Sequence, residues 1–285
     1  MTIAVIIPAF RVEDLILEAV RSVRAQTHAD WQVWVISDDA VDYELLLGRQ
    51  GLVDSRFHFL STGAIGAGAS VARNLALDAI SARYVAILDA DDRMKPEKLA
   101  AAHAALADQP IVSSALDVMD TGYRRLRLVG AGPDRLLTPA SYKFTSLSMD
   151  SMIVWDRTRC DARYDTTLTN MTDLELLMQL WRTAKTVHHL GSPLHDYLKR
   201  DTSMSNGEGV TEKMVRSKTT LLKRLAEGRY AFADPAATDG LATFLRISLA
   251  AEAAFPAALA ERPGLLFEDH LEPMLQAHAA ALPAG

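Results

Sequence analysis

The chain has 285 residues, 49% of them apolar, and a formal net charge of −6. This length suits one large domain, alone or with a helical appendage, and the apolar content suffices for a core without disulfides. An acidic chain lacks the basic face that nucleic-acid binding requires, so we expect no nucleic-acid partner. The single cysteine, Cys160, excludes an intrachain disulfide and a cysteine metal cluster.

Neither a leader nor a membrane span is expected. Residues 1–5 lack a basic region, and Pro8 interrupts the apolar stretch that follows. No run reaches the ~18 apolar residues of a spanning helix. The best candidate, residues 241–259, contains Arg246 and Glu252. Together with the lone cysteine, this predicts a cytoplasmic protein.

The first 118 residues alternate between two periodicities. Apolar, β-branched runs predict buried strands, and amphipathic stretches predict helices. The predicted strands are 3–7, 31–36, 57–60, 84–88 and 111–116, and the predicted helices are 13–26, 43–49, 70–79 and one that begins at Lys95-Pro96-Glu97. Such alternation with short links predicts an α/β fold with a mainly parallel sheet covered on both faces.

The remaining sequence is less regular. Strands are predicted at 149–155 and 186–190, and an amphipathic helix at 172–184. Beyond residue 210 the chain becomes alanine-rich and helical, so we place a soft boundary after residue 209.

Carboxylates follow two of the predicted strands. Asp89, Asp91 and Asp92 come directly after strand 84–88, and Asp38-Asp39 after strand 31–36. Ligands of such sheets bind outside the carboxyl ends of the strands. Adjacent carboxylates repel one another unless a cation or hydrogen-bond donors share the site. Carboxylate oxygens suit Mg²⁺ or Mn²⁺, which bridge to substrate phosphates. The pattern predicts a metal and diphosphate site, with an acidic helix cap as the alternative.

Eight short motifs in a fixed order carry a resemblance to a known family. They are Ile6-Ile7-Pro8-Ala9-Phe10, Ser22-Val23-Arg24-Ala25-Gln26-Thr27, Ser37-Asp38-Asp39, Ala72-Arg73-Asn74, Leu88-Asp89-Ala90-Asp91-Asp92, Tyr164-Asp165, Thr172-Asp173 and Ser203-Met204-Ser205. Over roughly residues 1–205, the chain resembles a family 2 glycosyltransferase with the GT-A fold. The resemblance implies a Rossmann-like mixed, mainly parallel sheet flanked by helices. Residues 1–209 would form the GT-A catalytic domain (1–118 its nucleotide-binding half, 119–209 its acceptor-binding half), and residues 210–285 a helical C-terminal extension.

The implied activity is the inverting transfer of a sugar from a nucleoside diphosphate sugar, a UDP-sugar favoured. The acceptor would be a hydroxyl of a saccharide or a lipid-linked molecule, in bacterial polysaccharide or glycoconjugate synthesis. Two rival hypotheses are a non-catalytic nucleotide-sugar-binding protein and a sugar-1-phosphate nucleotidylyltransferase. The second would carry a glycine-rich, basic loop after its first strand, and Pro8-Ala9-Phe10-Arg11 is not such a loop.

The resemblance also implies roles for single residues. Asp173 would be the general base that takes the acceptor's proton, with helix capping as its alternative. Arg73 would lie near the donor's base and phosphates, the alternative being a surface residue paired with Asp78 or Glu97. The residues implied to bind the donor nucleotide are Pro8, Ala9, Phe10, Asp39, Arg73, Asp89, Ala90 and Asp91. Those implied to hold Mn²⁺ or Mg²⁺ are Asp91 and Asp92. Those implied to face the diphosphate are Lys199, Arg200 and Ser203, with a solvated basic turn as the alternative.

Four features depart from the family pattern. Arg11 stands where the family usually has Asn, Ala40-Val41 replaces Gly-Ser, Thr172 replaces Glu, and the family His near position 200 is absent. These departures suggest a divergent subgroup.

Two further features bear on partners. The basic stretch 212–229 is either a peripheral contact with the anionic inner face of a membrane or a solvated helix face. The apolar helices of the extension either pack on the catalytic domain or form a homodimer. Trp155 and Trp181 are predicted to be core residues, because Trp181 lies on the apolar stripe of its helix.

Overall fold

The computed structural model describes residues 1–145, 150–199 and 210–281. The strands in these ranges are β1 (Ile3–Ala9), β2 (Trp31–Ser37), β3 (Phe57–Ser61), β4 (Tyr84–Ile87), β5 (Arg93–Met94), β6 (Ile111–Met119), β7 (Arg125–Val129), β8 (Arg135–Leu137), β9 (Val154–Asp156) and β10 (Val187–Leu198). The helices are α1 (Ile16–Arg24), α2 (Tyr43–Arg49), α3 (Ala69–Ala79), α4 (Lys98–Ala105), α5 (Pro139–Thr145), α6 (Thr172–Leu180), α7 (Val210–Ala226), α8 (Ala237–Glu261) and α9 (Phe267–Ala281).

The strands form one mixed sheet in the order β3-β2-β1-β4-β9-β6-β10-β5, with β7 paired to β6 and β8 to β10. β1 runs parallel to β2 and β4, β2 to β3, and β6 to β10, whereas β9 lies antiparallel between β4 and β6. The predicted α/β fold with a mixed, mainly parallel sheet is confirmed. The sequence did not predict β5, β7 and β8, because they are short and carry arginines in place of an apolar run.

Apolar side chains pack on both faces of the sheet. Val5 and Ile7 of β1 face a cluster that includes α1, whereas Ala4 and Ile6 face a second cluster that includes α3 and α6. This alternation follows from the two-residue period of a strand, and burial on both faces explains the continuous apolar run. Trp155 is fully buried in the second cluster, as predicted.

Helices α7, α8 and α9 share that second cluster. Leu221, Leu245 and Leu275, one from each helix, belong to the same buried group as Trp181 of the catalytic half. At Gly240 a Cβ atom would lie 2.5 Å from the Cα of Ala140, so α8 approaches α5 at a position that only glycine permits. Of the two expectations for these helices, packing on the catalytic half is observed.

Helix α8 is the one helix of the described ranges that is long and apolar enough, by length and composition, to cross a membrane. This is weak evidence, because the core helix of a globular fold passes the same test. Its buried residues pack against α5, α7 and α9.

Candidate active site

A cleft of about 500 Å³ lies at the carboxyl ends of β1, β2 and β4. Pro8 to Phe10 end β1, Asp38 follows β2, and Asp89 to Asp91 follow β4. Because these strands are parallel neighbours, their ends meet at one edge of the sheet, which is where α/β sheets bind ligands. The sequence motifs separated by tens of residues are thereby brought into one site.

Arg73 joins two carboxylates at the floor of the cleft. Its side chain, on α3, is only 5% exposed. Its Nη2 donates to Asp89 Oδ1 at 2.6 Å, and its Nη1 lies 3.4 Å from Asp173 Oδ1. The guanidinium also lies over the ring of Tyr164, 5.0 Å from its centroid. The alternative pairing of Arg73 with Asp78 or Glu97 does not occur, and Arg73 instead connects the donor motif with the predicted base.

Asp173 lies in the first turn of α6 and lines the cleft. Its Oδ1 accepts no hydrogen bond from any residue in the described ranges. Burial raises the pKa of the Asp173 carboxyl, the Arg73 cation opposes that rise, and the Asp89 charge adds to it. The cap position of α6 is Met171, and no side chain caps the helix. Asp173 therefore has an oxygen that faces the Arg73 cation without a hydrogen bond, and a raised pKa, as a proton acceptor requires.

Asp91 and Asp92, adjacent in sequence, point to different places. Asp91 lines the cleft beside Asp89. Asp92 is 1% exposed, and its Oδ1 accepts the backbone N–H of Leu198 at 2.8 Å. Its Oδ2 lies 3.1 Å from His195 Nε2. This geometry does not fit the expectation that Asp92 binds metal, because both oxygens are engaged inside the fold.

Asp92 and His195 belong to a buried series of polar contacts that extends to Lys98. Nδ1 of His195 lies 2.8 Å from Lys98 Nζ, which donates to the carbonyl of Met152 at 3.1 Å. Burial lowers the pKa of Lys98 to about 7, against the attraction of Asp92. If Lys98 donates to Nδ1, then Nε2 carries the proton that Asp92 accepts. The loop that carries Asp91 is thus tied to β10 through Asp92. The sequence analysis missed this tie, because single polar residues on apolar segments carry no pattern.

Asp89 and Asp91 fit a divalent cation that is shared with a substrate. The described residues contain no group of three or more His, Cys, Asp or Glu side chains able to enclose an ion by themselves. Mg²⁺ needs only one or two carboxylates when phosphate oxygens and waters complete its coordination. Both carboxylates line the cleft, and the Asp89 side chain is 31% exposed.

Asp39 does not line the cleft, although it was expected to bind the donor nucleotide. Its Oδ1 accepts from Ser37 Oγ and the Val41 N–H, both at 3.1 Å. Its Oδ2 accepts from the Arg11 N–H at 2.5 Å and from Tyr43 Oη at 2.9 Å. Four donors already occupy the lone pairs of this carboxylate. In the structure Asp39 therefore organises the loops that follow β1 and β2.

Asp38 lines the cleft and holds its glycine-rich edge. It accepts the backbone N–H of Ala67 at 2.9 Å and of Gly68 at 2.8 Å, and the hydroxyl of Thr62 at 2.8 Å. These contacts fix the loop that leads into α3 and Arg73. Beside it, Phe10 also lines the cleft and is 40% exposed.

Two departures from the family pattern coincide with left-handed backbone. Arg11 has φ 54° and Ala40 has φ 64°. Asn and Gly tolerate this region best, and they are the residues that the family usually has at these two positions. This chain adopts the left-handed conformation at both positions with residues that tolerate it less well than Asn or Gly.

Of the three residues expected to face the diphosphate, the structure describes only Lys199. Lys199 Nζ donates to the two oxygens of Glu268 on α9, at 2.8 and 3.0 Å. Its side chain is 7% exposed and is absent from the cleft lining. Its charge is therefore neutralised by α9. Arg200 and Ser203 lie outside the described residues.

The far end of the cleft was not predicted. It is lined by side chains from α5, from the turn after it and from the C-terminal helices. They are Lys143, Asp150, Met214, Lys218, Phe244, Ser248, Phe267, Glu268 and Leu271. Their spacing in sequence is that of ordinary amphipathic helices, so no local signal marked them.

The basic stretch 212–229 divides between the interior and the surface. Lys218 pairs with Glu252 at 2.6 Å, and Arg224 pairs with Asp165 at 2.7 Å. Lys213, Arg216, Lys223 and Arg229 are exposed. Four basic side chains are thus available at the surface, and the membrane contact stays a prediction.

Several known proteins with related sequences are named as glycosyltransferases. A putative teichuronic acid biosynthesis glycosyltransferase, TuaG of Bacillus subtilis, is 37% identical over 98 residues. The Escherichia coli UDP-Glc:alpha-D-GlcNAc-diphosphoundecaprenol beta-1,3-glucosyltransferase WfgD is 36% identical over 97 residues. The aligned segments cover 34% of this chain and 38% of each relative, so the likeness concerns one part of those enzymes.

Solved structures match over nearly the whole chain. S. aureus TarS 1–349 in complex with UDP-GlcNAc aligns with a TM-score of 0.68 at 18% identity, covering 99% of this chain and 82% of that one. The mannosyltransferase PcManGT of Pyrobaculum calidifontis, in complex with GDP-Man and Mn²⁺, aligns with a TM-score of 0.58 at 17% identity. It covers 98% of this chain and 79% of that one. At these identities the likeness establishes the fold.

The family assignment rests on the segment that builds the cleft. Residues 4–144, which run from the second residue of β1 to the end of β8 and into α5, match the description "Glycosyl transferase family 2". With this match, the related sequences and the GT-A fold of the structural neighbours, the segment 4–144 belongs to glycosyl transferase family 2.

Proposed function

We propose that this protein is an inverting glycosyltransferase that moves a sugar from a nucleoside diphosphate sugar, a UDP-sugar favoured, to a hydroxyl acceptor. The observation that carries the proposal is the contact of one buried cation, Arg73, with Asp89 on the donor side and Asp173 on the acceptor side. A donor-binding carboxylate and a general base are thereby held in one cleft. Family membership disfavours the nucleotidylyltransferase alternative.

The donor's nucleotide lies, in this proposal, along Pro8 to Phe10, with its diphosphate at Asp89 and Asp91. The exposed ring of Phe10 provides an apolar surface for the base. Two fold neighbours hold UDP-GlcNAc and GDP-Man with Mn²⁺, which supports a nucleotide sugar as donor. Asp89 and Asp91 would hold the divalent cation, which supplies charge neutralisation of the departing diphosphate.

The acceptor's proton passes to Asp173 Oδ1 as the acceptor oxygen bonds to the anomeric carbon. The bond from that carbon to the diphosphate oxygen breaks, and its electron pair leaves with the nucleoside diphosphate. A single displacement of this kind inverts the anomeric centre. Arg73 opposes the effect of burial on the pKa of Asp173, which keeps the carboxyl ionised and ready to accept the proton.

The setting we propose is the synthesis of a bacterial cell-surface polysaccharide or glycoconjugate in the cytoplasm. The acceptor would be a saccharide or a lipid-linked saccharide. The support comes from TuaG and WfgD, whose names refer to teichuronic acid biosynthesis and to a diphosphoundecaprenol acceptor.

The test is Asp173→Asn, assayed with a panel of UDP- and GDP-sugars, Mn²⁺ and saccharide acceptors. We expect transfer to fall by about 10²–10⁴, the range for loss of a general base, while UDP binding by calorimetry stays unchanged. Asp161→Asn, at an exposed aspartate, is the matched control. Full turnover in Asp173→Asn would remove Asp173 from the mechanism. A wild-type protein that binds UDP yet neither transfers nor hydrolyses any donor would establish the non-catalytic alternative.

A further inference from the structure

The cleft continues past Asp173 into the C-terminal helices. Lys218 of α7, Ser248 of α8 and Glu268 of α9 all line the cleft that Asp173 lines. The apolar lining residues from the same helices are Met214, Phe244, Phe267 and Leu271. A molecule in this end of the cleft would present its near atoms to the predicted base.

The charges in this end are neutralised in pairs. Lys218 Nζ donates to Glu252 at 2.6 Å, with both side chains at most 5% exposed. Lys143 pairs with Asp150 at 2.6 Å, and Glu268 pairs with Lys199. Each cation has a carboxylate beside it, so no surplus charge attracts an ion. An anionic ligand would have to separate a buried ion pair, which is strongly unfavourable because it leaves a buried charge without its partner.

Two buried polar atoms in this end lack partners. The hydroxyl of Ser248 is 1% exposed and makes no hydrogen bond within residues 1–145, 150–199 and 210–281. Over the same ranges, Oδ1 of Asp150 also has no hydrogen-bond partner, although its Oδ2 is bound to Lys143. An unsatisfied buried polar group destabilises the fold. A ligand that carries both hydroxyl donors and hydroxyl acceptors would satisfy both atoms.

The apolar side chains exclude a purely polar ligand. Phe267 is half-buried, with the Lys218 ammonium 4.6 Å from its ring centroid. Aromatic rings offer flat apolar faces, and the C–H face of a sugar ring is a flat apolar partner whose hydroxyls point outward. This end of the cleft has aromatic faces, buried polar atoms and paired charges. These properties together match a neutral carbohydrate.

We propose that α7, α8 and α9 form the wall of the acceptor site and that this wall binds an uncharged saccharide unit of the acceptor. This inference rests on the proposed function, because it places the acceptor's hydroxyl at Asp173. It extends the acceptor site beyond residues 119–209 into the C-terminal helices. Those helices are then part of the substrate site in addition to packing on the catalytic half.

The test is saturation-transfer NMR with methyl β-glucoside and methyl β-N-acetylglucosaminide, in the presence of UDP and Mg²⁺. Methyl β-glucuronide and glucose 1-phosphate serve as anionic comparisons. We expect transfer to the ring protons of a neutral glycoside with wild-type protein and at least tenfold weaker binding with Ser248→Leu, whose added side chain fills the cleft. Ala250→Leu adds the same volume on the exposed side of α8 and should bind like wild type.

Phe267→Ala provides a second variant in case Ser248→Leu does not fold, and we expect it also to weaken binding about tenfold. The inference is overturned if no neutral glycoside binds, if only the anionic probes bind, or if both variants bind as wild type does. Calorimetry with UDP examines the donor end separately. Retained UDP binding without glycoside binding would therefore refute the acceptor wall and leave the proposed function standing.

Discussion

Replacing Arg73 with methionine is the most informative single change in the cleft. Methionine keeps an unbranched apolar stem and removes the cation that lies between Asp89 and Asp173. Breaking a buried pair costs about 3–5 kcal/mol. The two carboxylates retain 31% and 25% side-chain exposure, which places the expected loss near the lower end, at about 3 kcal/mol. For a chain of this size that corresponds to a fall in Tm of roughly 6–12 °C.

The same change alters the pH dependence in a defined direction. Arg73 lowers the pKa of Asp173 against the effect of burial, so its removal raises that pKa. Because the base must be ionised, the acid limb of the kcat profile should move to higher pH. A raised carboxyl pKa in the folded state also means that the stability loss is largest above that pKa and shrinks as the pH falls.

The assay is kcat against pH, together with calorimetric unfolding at two pH values. Arg163→Met, which removes a partly exposed ion pair with Asp78, is the matched control and should change stability by about 0–1 kcal/mol. An acid limb that stays in place in Arg73→Met would refute the argument that Arg73 sets the ionisation of Asp173.

Two further changes address the supports of the site. His195→Phe removes two hydrogen bonds to buried charged groups, Asp92 and Lys98, at about 1.5–3 kcal/mol each. We therefore expect a loss of about 3–6 kcal/mol in urea unfolding and weaker Mn²⁺-dependent UDP binding, and an unchanged urea midpoint would contradict this account. Ala40→Gly should stabilise the protein by about 1 kcal/mol in the same measurement, since glycine adopts the left-handed φ of 64° without steric cost; a loss of stability would show that Ala40 is not strained.

The sequence could predict the part of the site that strands position. A buried strand has a clear apolar signature, and the residue after it must lie at an edge of the sheet. Asp38, Asp39, Asp89, Asp91 and Asp92 were therefore expected at the ligand-binding edge, and the structure places Asp38, Asp89 and Asp91 in the cleft. The two tryptophans predicted as core are also fully buried.

The sequence could not predict which of two adjacent carboxylates lines the cleft and which is buried in the fold. Asp91 and Asp92 are adjacent residues of the same type, yet their side chains project in different directions. Asp92 contacts His195, which lies on a strand about a hundred residues later in the sequence. The far wall of the cleft was hidden for a related reason. Lys218, Ser248 and Phe267 come together only when three helices pack, and each helix alone resembles a core helix.

The distribution of backbone strain connects these observations. Arg11, Ala40 and Met171 have left-handed φ values of 54°, 64° and 61°. Arg11 contacts Asp39 and Ala40 follows it in sequence, and the Asp39 carboxylate accepts the N–H groups of Arg11 and Val41. Met171 stands two residues before Asp173. Left-handed conformation costs about 1–2 kcal/mol for a non-glycine residue, so it persists only where surrounding contacts impose it. The hydrogen bonds that Asp39 accepts stabilise two of these three left-handed turns. This structural role of the carboxylate is independent of any contact with the donor.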